Sequence, residues 1–424
     1  MKRSPMPVKR PVSDHPLLGS RSAIPDSSPS RLPGSLFLLG AAAILLGAAA
    51  GRWWAFDVTQ FRGDELTYTN YATRISTAGL TEFRLLVAEY ASNPSRWSFP
   101  NPLRVLYILI TALSCKLAGA CSGTVVAAVS FVSGIGLVLL TLVMAWRMCG
   151  ERVALLAGLL VAFSPLQLAL SRRAWQDGFF SLTVLLALWA FWERSRSARK
   201  GWDLVLGCAL LAALLTKESA PILVLGFLGT LLYRKFSTGV PLTRSTLTAV
   251  LVPLPLTALI LLALIQDPWL VTRVYGGWLS ATDAGPYVTI YSQGPWFRYL
   301  IDFLLLSPLT TLLAIGYYFT PGRERGDPFL GRFTLILFVL FSLISLKNIR
   351  YVSFLDIPMR ILAVLALTSV FHLPAVARVG ERGAMVTTLL LAAYDLSMFY
   401  AIFIGGGVYD PLTATLAQAA RLIP

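Results

Sequence analysis

The chain is poor in charge and nearly without histidine. Only 13% of its 424 residues are Asp, Glu, Lys or Arg, against roughly 25% in a soluble domain, while 56% are hydrophobic. With a mean hydropathy of +0.68, this excludes a soluble globular protein and indicates an integral membrane protein. The two histidines, His15 and His372, are too far apart in sequence to suggest a histidine-based zinc site. Four cysteines, at 115, 121, 149 and 208, make no CxxC; Cys115 and Cys121 are spaced for an outer-side disulfide, but read more simply as two independent buried thiols. No GxGxxG, P-loop or DxD occurs, so nothing in the chain is equipped to hold a nucleotide sugar. The net charge of +15 does not imply nucleic acid, because Lys and Arg fall in short gaps between apolar runs, the pattern of membrane topology.

What is present is a series of apolar runs behind a polar tail. Residues 1–33, with seven prolines and six Lys or Arg, read as a disordered basic cytoplasmic tail. Residues 34–50 are the first apolar run; a signal peptide is the competing reading, but the polar stretch before it is too long for an n-region. Residues 51–122 form the longest non-spanning portion. Within it, Phe83, Leu86, Val87 and Tyr90 recur at helical spacing opposite Glu82, Arg84 and Glu89, as in a helix lying in the interface plane. A second short helix is expected from Asp64, with Leu66, Tyr71, Ile75 and Ala78 on one side.

The apolar segment 98–119 is ambiguous, since Arg104 and Lys116 leave about seventeen candidate residues, the lower limit for a span. Loop charge decides. If it lies on the surface, 14 of the 23 basic residues beyond position 122 are cytoplasmic, including the run RSRSARK; if it spans, that run is translocated. The surface reading gives an all-α polytopic protein of about eleven spans. Its parts are the tail 1–33, a membrane domain 34–404 with the external loop 51–122, and a short external tail 405–424. The long connection 267–296 reads as a lid or, more blandly, as an interfacial aromatic belt.

This topology collects the polar residues on one side. The only adjacent acid pair, Asp64 and Glu65, stands in the first outer loop. Arg172, Arg173 and Asp177 follow in SRRAWQD, Lys217 and Glu218 in TKES, and Lys347 and Arg350 in KNIR. Each has a bland alternative, because interfacial cations snorkel and lone acids cap helices. Cations on several outer turns beside carboxylates also suit an anionic lipid headgroup, with guanidinium forks on its phosphate and a carboxylate to take a proton.

In these residues the chain resembles the GT-C membrane glycosyltransferases, specifically the branch of protein O-mannosyltransferases and lipid A aminoarabinose transferases. The resemblance rests on the Asp-Glu pair, the Pro-x-Pro-Leu step at Pro100 to Leu103, SPLQLALSRRAWQDGFF, LLTKESA and KNIRYVSFLDIPMRILAV, spread over residues 34–372. It implies inverting transfer of a sugar from a polyprenyl- or dolichyl-phosphate carrier to a protein, lipid or glycan acceptor at the outer face of a bacterial inner or cell membrane. Asp64 is then the catalytic acid-base residue with Glu65 in support; Arg172 or Arg173, Lys217, Lys347 and Arg350 meet the carrier phosphate, and Asp177 is a second acid. One departure is Asn101, where many relatives place Lys or His; Arg104 or Arg96 are candidate replacements. No metal ligands are assigned, although the acids also suit a divalent cation. The alternative from another class is a transporter or flippase of an anionic glycolipid, which usually wants paired helical halves that are not evident here.

Overall fold

The computed structural model describes residues 33–54, 62–197, 199–239, 242–284, 292–320, 328–371, 373 and 379–409. Among them the regular structure is helical, and both histidines and most of the two expected tails lie outside them. The helices are α1 (Gly34–Trp53), α2 (Asp64–Ala78), α3 (Glu82–Ser92), α4 (Val105–Ala118), α5 (Gly123–Cys149), α6 (Glu151–Ala162), α7 (Pro165–Ser171), α8 (Asp177–Arg196) and α9 (Gly201–Leu214). They continue with α10 (Ala220–Thr238), α11 (Arg244–Leu251), α12 (Pro253–Ile265), α13 (Pro268–Ala284), α14 (Arg298–Leu306), α15 (Pro308–Gly316), α16 (Phe329–Ser342), α17 (Asp356–Phe371) and α18 (Gly380–Phe399).

Five helices are long and apolar enough to cross a membrane, or six if the pair α6 and α7 is one bent span; four shorter apolar helices accompany them. Helical segments stand at each of the spans expected beyond residue 122, several of them broken. The breaks follow proline chemistry. Ser164 accepts from Gln167 N at 3.2 Å and Pro165 opens α7, so the run bends by 58°. Ser307 and Pro308 likewise separate α14 from α15, although Ser307 does not cap the following helix.

Both Ser-Pro breaks meet at one buried polar node. Arg360 on α17 donates to Asp356 Oδ1 (3.0 Å), Asp395 Oδ2 (2.5 Å), Ser307 Oγ (2.9 Å) and Leu160 O (3.0 Å), while Ser164 Oγ donates to Asp356 Oδ2 (2.6 Å). Polar groups at such depth persist only when mutually satisfied, and here the broken helix ends supply the hydroxyls and a carbonyl.

On the other flank lie α2, α3, α4 and α13. α3 buries Phe83, Leu86, Val87 and Tyr90 as expected, and Arg74 of α2 bonds Glu82 and Glu89 on it. α2 buries Glu65, Tyr68, Tyr71, Ala72 and Ile75; Leu66 and Ala78, expected on that face, are exposed. The residue one turn from Asp64 that packs inward is therefore Tyr68, and the 3.6-residue period read from Leu66 started on the wrong residue. α4 runs beside α2 and α13 packs on α3, and a Cβ at Gly277 of α13 would meet the ring of Trp97, just beyond α3, at 2.6 Å. Residues 285–291 of the expected lid lie outside the described residues.

Cys115 and Cys121 form a disulfide, which corrects the reading of two independent thiols. Gly119, at φ 73°, ends α4 and turns the chain back; Ser122 then opens α5 by accepting from Val125 N at 3.3 Å. That turn brings the two sulfurs together, which sequence spacing alone did not establish.

Candidate functional site

Asp64 and Glu65 are the first two residues of α2. Neighbouring positions on a helix point about 100° apart, so the pair divides. Asp64 stays at the rim, its side chain 23% exposed, with Oδ2 accepting from Arg350 Nη1 at 3.0 Å. Glu65 turns inward: Oε1 accepts from Ala174 N at 3.1 Å, and Oε2 from Arg62 N at 3.0 Å and from Arg173 Nη2. Burial pushes the Glu65 carboxyl above its ordinary value, opposed by Arg173 and the two backbone N–H groups.

Arg350 sits in the short turn Ile349–Tyr351, where the Asn348 side chain accepts its backbone N–H at 3.0 Å. Its guanidinium uses separate nitrogens for two acids: Nη1 for Asp64 and Nε for Asp177 Oδ2 at 2.9 Å. Asp177, buried at the start of α8, also binds the Lys217 ammonium, and Lys217 in turn donates to Arg350 O at 2.8 Å. Three turns distant in sequence thus close on one another. The Trp175 ring lies within 4.0 Å of the Arg350 guanidinium carbon and 5.1 Å of that of Arg173, which is also 4.6 Å from the Tyr409 ring. Arg172 lies against Phe399, 5.5 Å from the ring centre.

A second layer backs the first. Arg104 makes a bidentate pair with Glu218, at 2.9 and 2.5 Å, and reaches Tyr68 Oη, whose hydroxyl donates to Gln176 Oε1 at 2.5 Å. Asn101 accepts from Leu103 N at 3.1 Å and starts the turn that carries Arg104. Arg96, the other candidate replacement, instead bonds Glu89 at 3.0 Å on α3.

The sequence-expected residues are thus distributed unevenly. Asp64, Arg350, Asp177 and Lys217 share one network; Glu65 and Arg173 form a buried pair joined to it through Trp175. Lys347 points elsewhere, to Ser342 O (3.0 Å) and Ile344 O, and so closes the carboxyl end of α16. Sequence reasoning did not single out Tyr68, Trp175 or Gln176, and named Glu218 without its partner. An aromatic residue inside a turn of Arg and Asp, and an Arg opening an apolar run on the same side as an unmatched Glu, were the available signals.

Among the described residues, five cations (Arg104, Arg172, Arg173, Lys217, Arg350) and four carboxylates (Asp64, Glu65, Asp177, Glu218) gather in this cluster. Among the described residues no group of three or more His, Cys, Asp and Glu converges as a metal site would.

The fold is that of the GT-C membrane glycosyltransferases, as the sequence led us to expect. Residues 101–267 match the family model described as dolichyl-phosphate-mannose-protein mannosyltransferase. The oligosaccharyltransferase of Archaeoglobus fulgidus in its apo form superposes with a TM-score of 0.55 at 13% identity, over 86% of this chain and 55% of that one. The same enzyme, AglB, in complex with an inhibitory peptide and a dolichol-phosphate, gives 0.56 at 14% identity, covering 87% and 55%. ArnT from Cupriavidus metallidurans bound to undecaprenyl phosphate gives 0.50 at 18% identity, covering 92% and 72%. The chain spans about half the length of the oligosaccharyltransferases it matches, and no curated protein matches it.

Proposed function

We propose that the protein is an inverting glycosyltransferase that moves a sugar from a polyprenyl-phosphate carrier to an acceptor at the outer face of the membrane. The observation that carries this reading is Asp64, a partly exposed carboxylate at the rim of a buried cluster of cations and acids, paired there with Arg350. The family match and the lipid phosphates bound by AglB and ArnT support a polyprenyl phosphate as the anion that this site takes.

In the step, the acceptor O–H or N–H gives its proton to Asp64 as its heteroatom bonds to the anomeric carbon. The bond from that carbon to the phosphate oxygen breaks on the opposite side, and its electron pair stays on the phosphate. Arg350, with Arg173 or Arg172, takes up the charge that grows there. Asp177 and Lys217 hold Arg350, Glu65 holds Arg173, and Lys347 belongs to the scaffold. The membrane domain 34–404 carries the acids and cations of the site, and Tyr409, beyond it, lies against Arg173.

The amino end is assigned to the cytoplasm and Asp64 to the outer side. Charge bias in the loops supports this, and so does the disulfide, because Cys121 Sγ lies 3.9 Å from Thr69 O on the helix that begins with Asp64. Disulfides persist in oxidising compartments.

The test is transfer of labelled sugar from a polyprenyl-phosphate donor by the native protein and by Asp64→Asn. Loss of about a thousandfold or more is expected from removing a general base together with its charge; equal turnover would remove Asp64 from the reaction. On this reading the positive charge beside Asp64 is Arg350, and chelation leaves the rate unchanged. A rate lost to EDTA and restored by Mg²⁺ or Mn²⁺ would give Asp64 a metal instead.

A further inference from the structure

Arg52, near the end of α1, is fully buried, yet among the described residues no carboxylate pairs with it. Burying a guanidinium without a counterion is costly, so its partners matter. Nη1 donates to Ala48 O at 3.1 Å on its own helix and to Ala162 O at 3.0 Å, a carbonyl freed where α6 breaks. Nε donates to Ser171 Oγ at 3.2 Å, the last residue of α7. One side chain therefore spans the 58° elbow from its first arm to the tip of its second.

Little of the rest of α1 is buried. Only 6% of its apolar window is buried, and its buried residues are Ala48 and Arg52. The contact made by Arg52 is tight in return: a Cβ at Gly134 on α5 would come within 2.1 Å of Ser171 Oγ and 2.7 Å of Arg52 Nε. From Ser171 the bonding continues inward. Ser171 Oγ donates to Gln167 O (2.5 Å), Gln167 Nε2 to Ser353 O (2.9 Å), and Ser353 Oγ to Arg350 O (3.2 Å). Arg172 and Arg173 follow Ser171 directly, and Asp64 follows Arg52 by twelve residues.

We propose that Arg52 is a positioning residue: it fastens the first span to the α6–α7 elbow and so sets the arginines after α7 and the acid of α2 at their working separation. The assignment of those groups to the donor phosphate rests on the function proposed above; the fastening itself does not. The mechanism is mechanical. The guanidinium replaces hydrogen bonds that the broken turn of α6 cannot make and fixes the tip of α7 in the same act.

The test compares full-length native protein in nanodiscs with Arg52→Met, Arg52→Lys and Gly134→Ala. Two readouts are followed, backbone hydrogen exchange at residues 171–174 and the separate KM values for polyprenyl-phosphate-sugar donor and acceptor. Arg52→Met is expected to speed exchange at 171–174 by tenfold or more, with residues 380–399 unchanged, and to raise the donor KM at least tenfold while the acceptor KM stays within twofold. Gly134→Ala should reproduce both effects with Arg52 still present, and Arg52→Lys should stay within threefold of native. If Arg52→Met fails to fold, the Lys and Gly134 variants carry the comparison. Unchanged exchange at 171–174, or activity that falls only in proportion to the folded fraction, would overturn the proposal. Faster exchange in a protein whose native form transfers no sugar would leave the fastening in place and sink the functional reading alone.

Discussion

At the scale of single residues, two adjacent carboxylates have taken opposite employment. Glu65 is fully buried among one guanidinium and two backbone donors, whereas Asp64 keeps a quarter of its side chain open. Neutralising one partner of a buried pair leaves an uncompensated charge, at about 3–5 kcal/mol. Glu65→Gln is therefore expected to lower the thermal unfolding midpoint in detergent far more than Asp64→Asn, which should spare stability and abolish transfer. Similar midpoints for the two variants would mean that the division is not real in solution. The sequence showed that an acid pair stood here but not which acid faced in, because that depends on where the helix starts. A glycine at φ 51° sets that start, and the resulting rotation put Tyr68 rather than Leu66 beneath the site. Lys347 illustrates the same limit: its spacing from Arg350 was legible, but the short turn between them sends the two side chains to different partners.

Among elements, α2 and α3 are bound to each other by exposed or half-exposed charge. Arg74 bridges Glu82 and Glu89, and holds the Glu89 carboxyl below its ordinary value of 4.5. A lowered carboxyl contributes stability above its unfolded value and loses it as pH falls through the folded one. Acidification below about 4.5 should therefore loosen α3 from α2 before the spans respond, with faster hydrogen exchange at 82–92 as the measurement. The disulfide is the complementary device on the other side of α2. It closes a short loop, worth about 2 kcal/mol by chain entropy, so Cys115→Ser with Cys121→Ser should lower the unfolding midpoint by a few degrees with the donor KM unchanged. α3 was readable in advance because its amphipathic spacing is local. The disulfide was not, since it needed the turn at Gly119 as well as the two thiols.

For the whole molecule, composition carried most of the architecture: hydrophobic runs gave the helices their places, and Asp64, Asp177, Lys217 and Arg350, from turns far apart in sequence, close into one network. What the runs did not convey is the bending of spans, because Ser-Pro punctuates a helix without stating what will satisfy the broken end. Arg360 answers that at both breaks. Arg360→Met would leave Asp356 and Asp395 facing each other without their cation, and is expected to cost about 3–5 kcal/mol, seen as a sharply reduced yield of monodisperse protein; Arg360→Lys should recover part of it. A normal yield for Arg360→Met would show that the node is dispensable.

That node also constrains how the chain comes into being. α17 and α18 enter the bilayer bearing an arginine and two aspartates, and the serines and the free carbonyl that complete their bonding belong to segments synthesised earlier. Until late and early portions meet, newly inserted helices hold unsettled ionic groups in oil, a state that chaperones and membrane proteases are well placed to detect. The meeting of α17 and α18 with the earlier elbows thereby doubles as a check on assembly.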